Sequence, residues 1–226
     1  MRRAAMVLLC AASLTLCGCA QQGAPEASPS PAQAQSADGK RIVCMGDSIT
    51  AGYCVYAEDE MISAYLQELL GERAVVLAFG TPGETLHEAS VYRSSALDAN
   101  ADYVLLQFGT NDASPSLFRA DAFRARAETL LDTHIEALGA ENVAFLLPPC
   151  IYPDGGDLAA FGMSNDTLAE VRAILTEVCA EKGVAVVDLY SATADHPEWF
   201  VDGVHPNADG NRAIAQAVYD TLFAES

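Results

Sequence analysis

Arg41-Ile42-Val43-Cys44-Met45, followed at once by Gly46-Asp47-Ser48, is the stretch on which the reading of this chain turns. After the arginine the run is apolar at every position. A strand without polar alternation buries both faces, as strands do in parallel sheets covered by helices on two sides. The Gly-Asp-Ser turn directly after it exposes the Ser48 hydroxyl at the mouth of the sheet. Alone, the tripeptide reads first as a structural turn, because Gly, Asp and Ser are ordinary turn residues.

Four more apolar runs, at 74–79, 103–108, 143–147 and 184–189, have the same character. Amphipathic helical patterns lie between them. Ile62, Tyr65, Leu66 and Leu69 keep helical spacing up to Gly71, and Phe123, Ala127, Leu130, Leu131 and Leu138 do so up to Gly139. A third helix is predicted over about 165–182, ending at Gly183, and a last one carries Ile214, Ala217, Val218 and Leu222. The repeated strand-helix order predicts an α/β fold with a central parallel five-stranded sheet and helices on both faces.

Such a sheet gathers its functional residues at the carboxyl ends of its strands. Gly46-Asp47-Ser48 follows the first strand, Gly80-Thr81-Pro82-Gly83 the second and Gly109-Thr110-Asn111-Asp112 the third, while Asp202-Gly203-Val204-His205 lies beyond the fifth. All four fall on that rim. Acyl transfer needs a nucleophile, a base, a group to hold the base, and donors for an oxyanion. Ser48 is the candidate nucleophile, His205 the base and Asp202 its holder, three residues away, with Pro206 fixing the backbone beyond. Oxyanion donors are available from the Ser48 and Gly83 backbone N–H groups and the Asn111 side-chain amide. Gly83 reads equally as part of a Pro-Gly turn, and Asn111 as a cap for the segment after it.

An Asp-x-x-His pair also suits a metal site or a helix cap, but no second His or Cys stands at ligand spacing, so no metal is expected. A metal-dependent phosphoesterase would have to use Asp47, Asp112, Asp202 and His205. His87 and His134 fall in helical patterns and read as packing or surface; His196 could line the rim, with only Asp195 beside it as an acidic partner. Tyr53, Tyr56, Trp199 and Phe200 near the motifs could stack on sugars or line an acyl slot.

Together the blocks Gly46-Asp47-Ser48-Ile49-Thr50, Gly80-Thr81-Pro82-Gly83-Glu84-Thr85, Gly109-Thr110-Asn111-Asp112 and Asp202-Gly203-Val204-His205-Pro206-Asn207 resemble those of the SGNH (GDSL) hydrolases, in that family's order. The resemblance covers nearly all of the chain from Lys40 onward. It implies a flavodoxin-like three-layer αβα sandwich, esterase, lipase or thioesterase activity, no cofactor, and an oxyanion hole from Ser48, Gly83 and Asn111. The family's second block often begins with Asn where this chain has Ala78, so a hydrogen bond supporting the Gly83 loop is expected to be missing.

The N-terminus has a different character. Met1-Arg2-Arg3, an apolar run over 4–16, and Cys17-Gly18-Cys19 follow the layout of an export signal. The run is too short for a membrane span, which needs about 20 apolar residues. Leu16-Cys17-Gly18-Cys19 resembles a bacterial lipobox, so 1–19 reads as a lipoprotein signal peptide and lipobox, which implies removal of the residues before Cys19, acylation of Cys19 as the new N-terminus, and a lipid anchor outside the cytoplasm. A soluble secreted protein cut nearby is the alternative. Residues 20–39, rich in Gln, Ala, Ser and Pro, read as a disordered tether, and 40–226 as the folded domain.

A formal net charge of -19, with Lys40 and Lys182 the only lysines, excludes nucleic acid as a partner, because phosphate contacts require a basic surface. The expected partners are a small-molecule or carbohydrate acyl ester, with short acyl or acetyl groups favoured over long-chain lysophospholipids, and the membrane through the Cys19 anchor. A lysophospholipase or thioesterase-type lipase and a non-catalytic envelope binding protein are the alternatives. Of the cysteines after Cys19, Cys44 and Cys179 read as small buried hydrophobes. Cys54 and Cys150 lie in loop-like segments and are the pair expected to bridge if any bridge forms.

Overall fold

The computed structural model describes residues 39–91, 95–152 and 162–224. The predicted export signal, Cys19 and all but the end of the tether lie outside the described residues. Strand β1 (Lys40–Gly46) lies between β2 (Ala74–Gly80) and β3 (Tyr103–Gln107); β4 (Val143–Leu147) and β5 (Ala185–Asp188) complete a sheet of order β2-β1-β3-β4-β5. Every pairing is parallel. The predicted fold class is the one observed.

Alternation along each strand explains why its sequence shows none. Val43 and Met45 of β1, Val104 and Leu106 of β3, and Val143, Phe145 and Leu147 of β4 enter one core. Ile42, Cys44, Leu105, Ala144 and Leu146 point to the opposite face and enter a second. Helices α2 (Leu86–Val91), α3 (Ser95–Asp98), α4 (Ala120–Leu138) and α5 (Asn165–Lys182) contribute to the first core. Helices α1 (Ile62–Leu70) and α7 (Ala208–Leu222) close the second, together with Leu189 at the start of α6 (Leu189–Thr193). Leu66, Leu130, Leu131 and Leu175 are fully buried, and each such side chain contributes roughly 1.5–3 kcal/mol through its removal from water. Cys44 and Cys179 lie in these cores as expected, where burial pushes both thiols up to about 12.

Local signals set the helix ends. Ser164 caps α5 by accepting the Thr167 N–H at 3.1 Å, and Gly183 ends it in the left-handed conformation, φ 69°. Asp188 ends β5 one residue earlier than the apolar run suggests, because its carboxylate accepts the Ser191 N–H and caps α6. No helix of the described residues is long and apolar enough to cross a membrane.

The strand order also locates the site. The chain passes from β1 to β2 on one side and then to β3 on the other, so β1 and β3 flank the point where the order reverses. A crevice opens there at the carboxyl ends of the strands. Ser48 follows β1 and Asn111 follows β3.

Candidate active site

Gly46 makes the turn into Ser48 possible. A Cβ at that position would fall 2.1 Å from Thr50 Oγ1 and 2.6 Å from the Gln107 carbonyl oxygen, so only glycine lets the chain fold back so closely. Asp47, fully buried, accepts the Ile49 N–H at its Oδ1 (2.9 Å), while its carbonyl accepts from Ala51 N–H (3.0 Å). The Ser48 carbonyl accepts from Tyr53 N–H (2.9 Å), and the serine is held at the start of a hydrogen-bonded turn with 6% of its surface exposed.

The second half of the site is built from Asp202 to Asn207. Asp202 Oδ1 accepts the N–H groups of Val204 (3.0 Å) and His205 (2.8 Å), which folds the four residues into a compact loop. Asp202 Oδ2 stands 2.7 Å from His205 Nδ1. Beyond Pro206, Asn207 caps α7 through the Gly210 N–H (3.0 Å), anchoring the loop to a long helix. Burial alone would raise the Asp202 carboxyl. The hydrogen bonds from the His205 backbone, its ring and Val204 outweigh that and hold it below the usual carboxylate range. An ionised carboxylate only accepts, so Nδ1 carries the proton and Nε2 is left as an acceptor. Nε2 lies 2.8 Å from Ser48 Oγ. The sequence-predicted Ser48, His205 and Asp202 thus form one continuous hydrogen-bonded chain, the geometry in which an imidazole can draw the proton from a hydroxyl.

Ser48, Tyr53, Gly83, Asn111, Met163 and His205 all line one cavity of about 310 Å³. Gly83 has φ 80°, and a Cβ there would meet nothing within 4 Å. Its backbone conformation, rather than crowding by other protein atoms, calls for glycine. Asn111 does not cap its own segment. Its Nδ2 donates to the Glu84 carbonyl (2.9 Å) and so ties the loop after β3 to the Gly83 loop, an amide nitrogen that carries a second hydrogen for another acceptor. The Gly83 loop is further held by Thr81 N–H on the Gly46 carbonyl (3.0 Å) and Glu84 N–H on the Thr81 carbonyl (3.1 Å). Ala78, where the expected supporting Asn is absent, packs against the second core. Leu86 N–H donates to Asp112 Oδ2 (2.9 Å), which spends that carboxylate on the start of α2.

Asp47 and Asp112 are therefore engaged in holding loops and do not gather with Asp202 and His205 as a metal phosphoesterase would require. Burial raises both, Asp47 to about 7 and Asp112 to about 6. The Gln107 and Thr110 side chains beside Asp47 partly offset its rise.

Several expectations for single residues change. Cys54 and Cys150 are free thiols and form no bridge: Cys150 is buried, whereas Cys54 Sγ lies 4.0 Å from Asp202 Oδ2. That juxtaposition spans 148 residues of sequence and carried no local signal. Tyr53 packs on His205 with ring centroids 4.6 Å apart. A larger open groove of about 710 Å³ shares Tyr53 and Pro82 with the cavity and continues past Tyr56 and Val201. Trp199 and Phe200 line neither. Trp199 stacks on His196 at 3.6 Å, and Phe200 is buried beside Tyr152. His196 pairs with Glu198 (2.9 Å) and His134 is buried on the inner face of α4, as packing. His87 lines a small cavity on the far side of Asn111.

Residues 44–213 match the model of the GDSL-like lipase/acylhydrolase family. An acetylxylan esterase from Xylanibacter ruminicola is 26% identical over 204 residues, 80% of this chain; the chain spans only 42% of that relative's length. A lipase/acylhydrolase from Enterococcus faecalis superposes with a TM-score of 0.67 at 25% identity, covering 83% of this chain and 99% of the other. An acetylxylan esterase from Geobacillus stearothermophilus, solved as a catalytic mutant, gives 0.66 at 19% identity over 83% and 95% of the two chains, a likeness of fold. With the family model covering most of the folded residues, and the sheet order and rim motifs in agreement, this chain belongs to the GDSL-like lipase/acylhydrolase family.

Proposed function

We propose that the chain is a serine esterase that cleaves carboxylic esters through an acyl-enzyme, with acetyl or other short acyl groups on carbohydrate as its substrates. The observation that carries this reading is the chain of contacts Ser48 Oγ to His205 Nε2 (2.8 Å) and His205 Nδ1 to Asp202 Oδ2 (2.7 Å). Ser48 attacks the ester carbonyl as Nε2 takes its proton, and Asp202 stabilises the imidazolium that forms. The carbonyl oxygen becomes an oxyanion facing the Ser48 and Gly83 N–H groups and the second Asn111 amide hydrogen. The imidazolium protonates the departing alcohol. In the second half, His205 activates water, which releases the acid from Ser48.

A short acyl group is supported by the cavity at Ser48, where Met163 and Val204 stand among the walls. A carbohydrate alcohol is supported by Tyr53 and the fully exposed Tyr56 along the adjoining groove, since aromatic faces suit sugar rings, and by the acetylxylan esterase named among the relatives. The acidic Glu58-Asp59-Glu60 beside Tyr56 favours a neutral glycan over an anionic headgroup. Export and a lipid anchor on Cys19 belong to the same proposal and rest on the N-terminal sequence.

Hydrolysis of p-nitrophenyl esters from acetate to palmitate, with a chelator control, tests the reading. Activity greatest on acetate and undiminished by chelator supports it. A palmitate optimum would replace it with a lipase, and inactivity on every ester with a binding role.

A further inference from the structure

We infer that Cys54, Asp202 and His205 form an inhibitory site for a thiophilic divalent cation such as Zn²⁺. Cys54 Sγ is 4.0 Å from Asp202 Oδ2, Oδ2 is 2.7 Å from His205 Nδ1, and the three ligand atoms lie within 4.8 Å of one another. Among the described residues no other three His, Cys, Asp or Glu side chains gather their ligand atoms in this way. A tetrahedral zinc ion holds sulfur at about 2.3 Å and nitrogen or oxygen at about 2.0–2.2 Å, which sets neighbouring donors roughly 3.4–3.6 Å apart. Shifts of under about 1 Å per side chain bring these three to that spacing. Cys54 also lines the open groove, so a cation reaches it from solvent and a water completes the tetrahedron.

Burial and the Asp202 charge both raise the Cys54 thiol, which keeps it protonated and slow to react with oxidants. A cation neutralises the second of those causes. On binding, the thiol proton goes to solvent and the imidazole proton moves from Nδ1 to Nε2, so one proton is released as sulfur, oxygen and nitrogen donate to the metal. Asp202 then faces the metal instead of the imidazole. His205, metallated on Nδ1, no longer has the carboxylate that stabilises its positive form, and the proton of Ser48 has no good acceptor.

Occupancy of the site rests on the three side chains alone, whereas inhibition rests on the proposed role of His205. The test titrates ZnCl₂ into the full chain hydrolysing p-nitrophenyl acetate, for the wild type, Cys54→Ser and Cys54→Ala, each relative to its own metal-free rate. In parallel, CdCl₂ binding is followed by the ultraviolet thiolate-to-cadmium band. The expected result is EDTA-reversible inhibition of the wild type, at least tenfold weaker in both variants, and a cadmium band that diminishes in both. Equal inhibition of all three proteins, a wild type indifferent to Zn²⁺, or identical cadmium spectra would overturn the proposal. Should no protein hydrolyse the ester, the esterase reading falls separately, and the cadmium difference alone decides for or against the site.

Discussion

Ser48 and His205, 157 residues apart in the chain, meet with Oγ 2.8 Å from Nε2, and each is held by hydrogen bonds within its own loop. The serine is placed by Gly46 and the Asp47 turn at the end of β1. The histidine is placed by Asp202 and by the Asn207 cap on α7. Replacing either side chain therefore removes chemistry without removing a support. Ser48→Ala is expected to cut p-nitrophenyl acetate turnover to the residual level that oxyanion donors and binding alone sustain, a loss on the order of 10⁴-fold or more. The melting temperature, read by circular dichroism, is expected to stay within a few degrees of wild type.

Asp202 does two things through two oxygens. Oδ1 holds the loop backbone and Oδ2 meets the imidazole. Asp202→Asn keeps the Oδ1 acceptor but loses the charge and offers an N–H to Nδ1, which favours the wrong tautomer. A fall in kcat of about 10²–10⁴-fold with a much smaller change in KM is expected from steady-state kinetics.

Asn111 links the loops after β2 and β3 and presents its amide to the Ser48 cavity. Asn111→Ala is expected to lower kcat by roughly 10²–10³-fold, equivalent to about 2.7–4 kcal/mol of lost oxyanion stabilisation, with KM little altered. A loss confined to KM would assign the side chain to substrate binding instead.

Tyr56 is fully exposed at the far side of the groove and touches no part of the Ser48–His205 chain. Tyr56→Ala is expected to reduce kcat/KM on acetylated xylo-oligosaccharides by roughly fivefold, the scale of about 1 kcal/mol for an exposed aromatic contact. Hydrolysis of p-nitrophenyl acetate should be spared. Parallel losses on both substrates would remove the glycan platform.

Burial raises Asp47 to about 7 from an ordinary 3.8, so the native state keeps a proton that the unfolded chain releases at lower pH. Stability from this group is full below about pH 4 and is lost as pH rises toward about 7, after which it is level. Asp112, raised to about 6, acts in the same sense. Asp47→Asn keeps the acceptor for the Ile49 N–H and removes the ionisation. Urea denaturation between pH 4 and pH 8 is expected to show a flatter stability profile in this variant, by an amount on the order of a few kcal/mol.

What the sequence revealed and what it concealed follow from the range of the interactions involved. The five strands were legible because burial on both faces leaves uninterrupted apolar runs, and α5 was legible to the residue because the α5 pattern ends in a left-handed Gly183. Helices α2, α3 and α6 span six residues or fewer, too short to establish a period. Ser48, Asp202 and His205 could be picked out because each sits in a local motif on the rim. Cys54 beside Asp202, and Asn111 on the Glu84 carbonyl, join segments with no shared local pattern, and only the folded chain brings them together. Cys54 and Cys150, the pair expected to bridge if any bridge formed, remain free thiols for the same reason. Both residues lie in loops, but the fold turns one toward the groove and buries the other.

The most direct measurement is intact-mass analysis after incubation with a fluorophosphonate, followed by peptide mapping. A single adduct on the peptide carrying Ser48, absent from Ser48→Ala and formed far more slowly by His205→Ala, is the predicted result. An unmodified wild type, or an adduct that persists undiminished in Ser48→Ala, would contradict the assignment of Ser48 as the nucleophile.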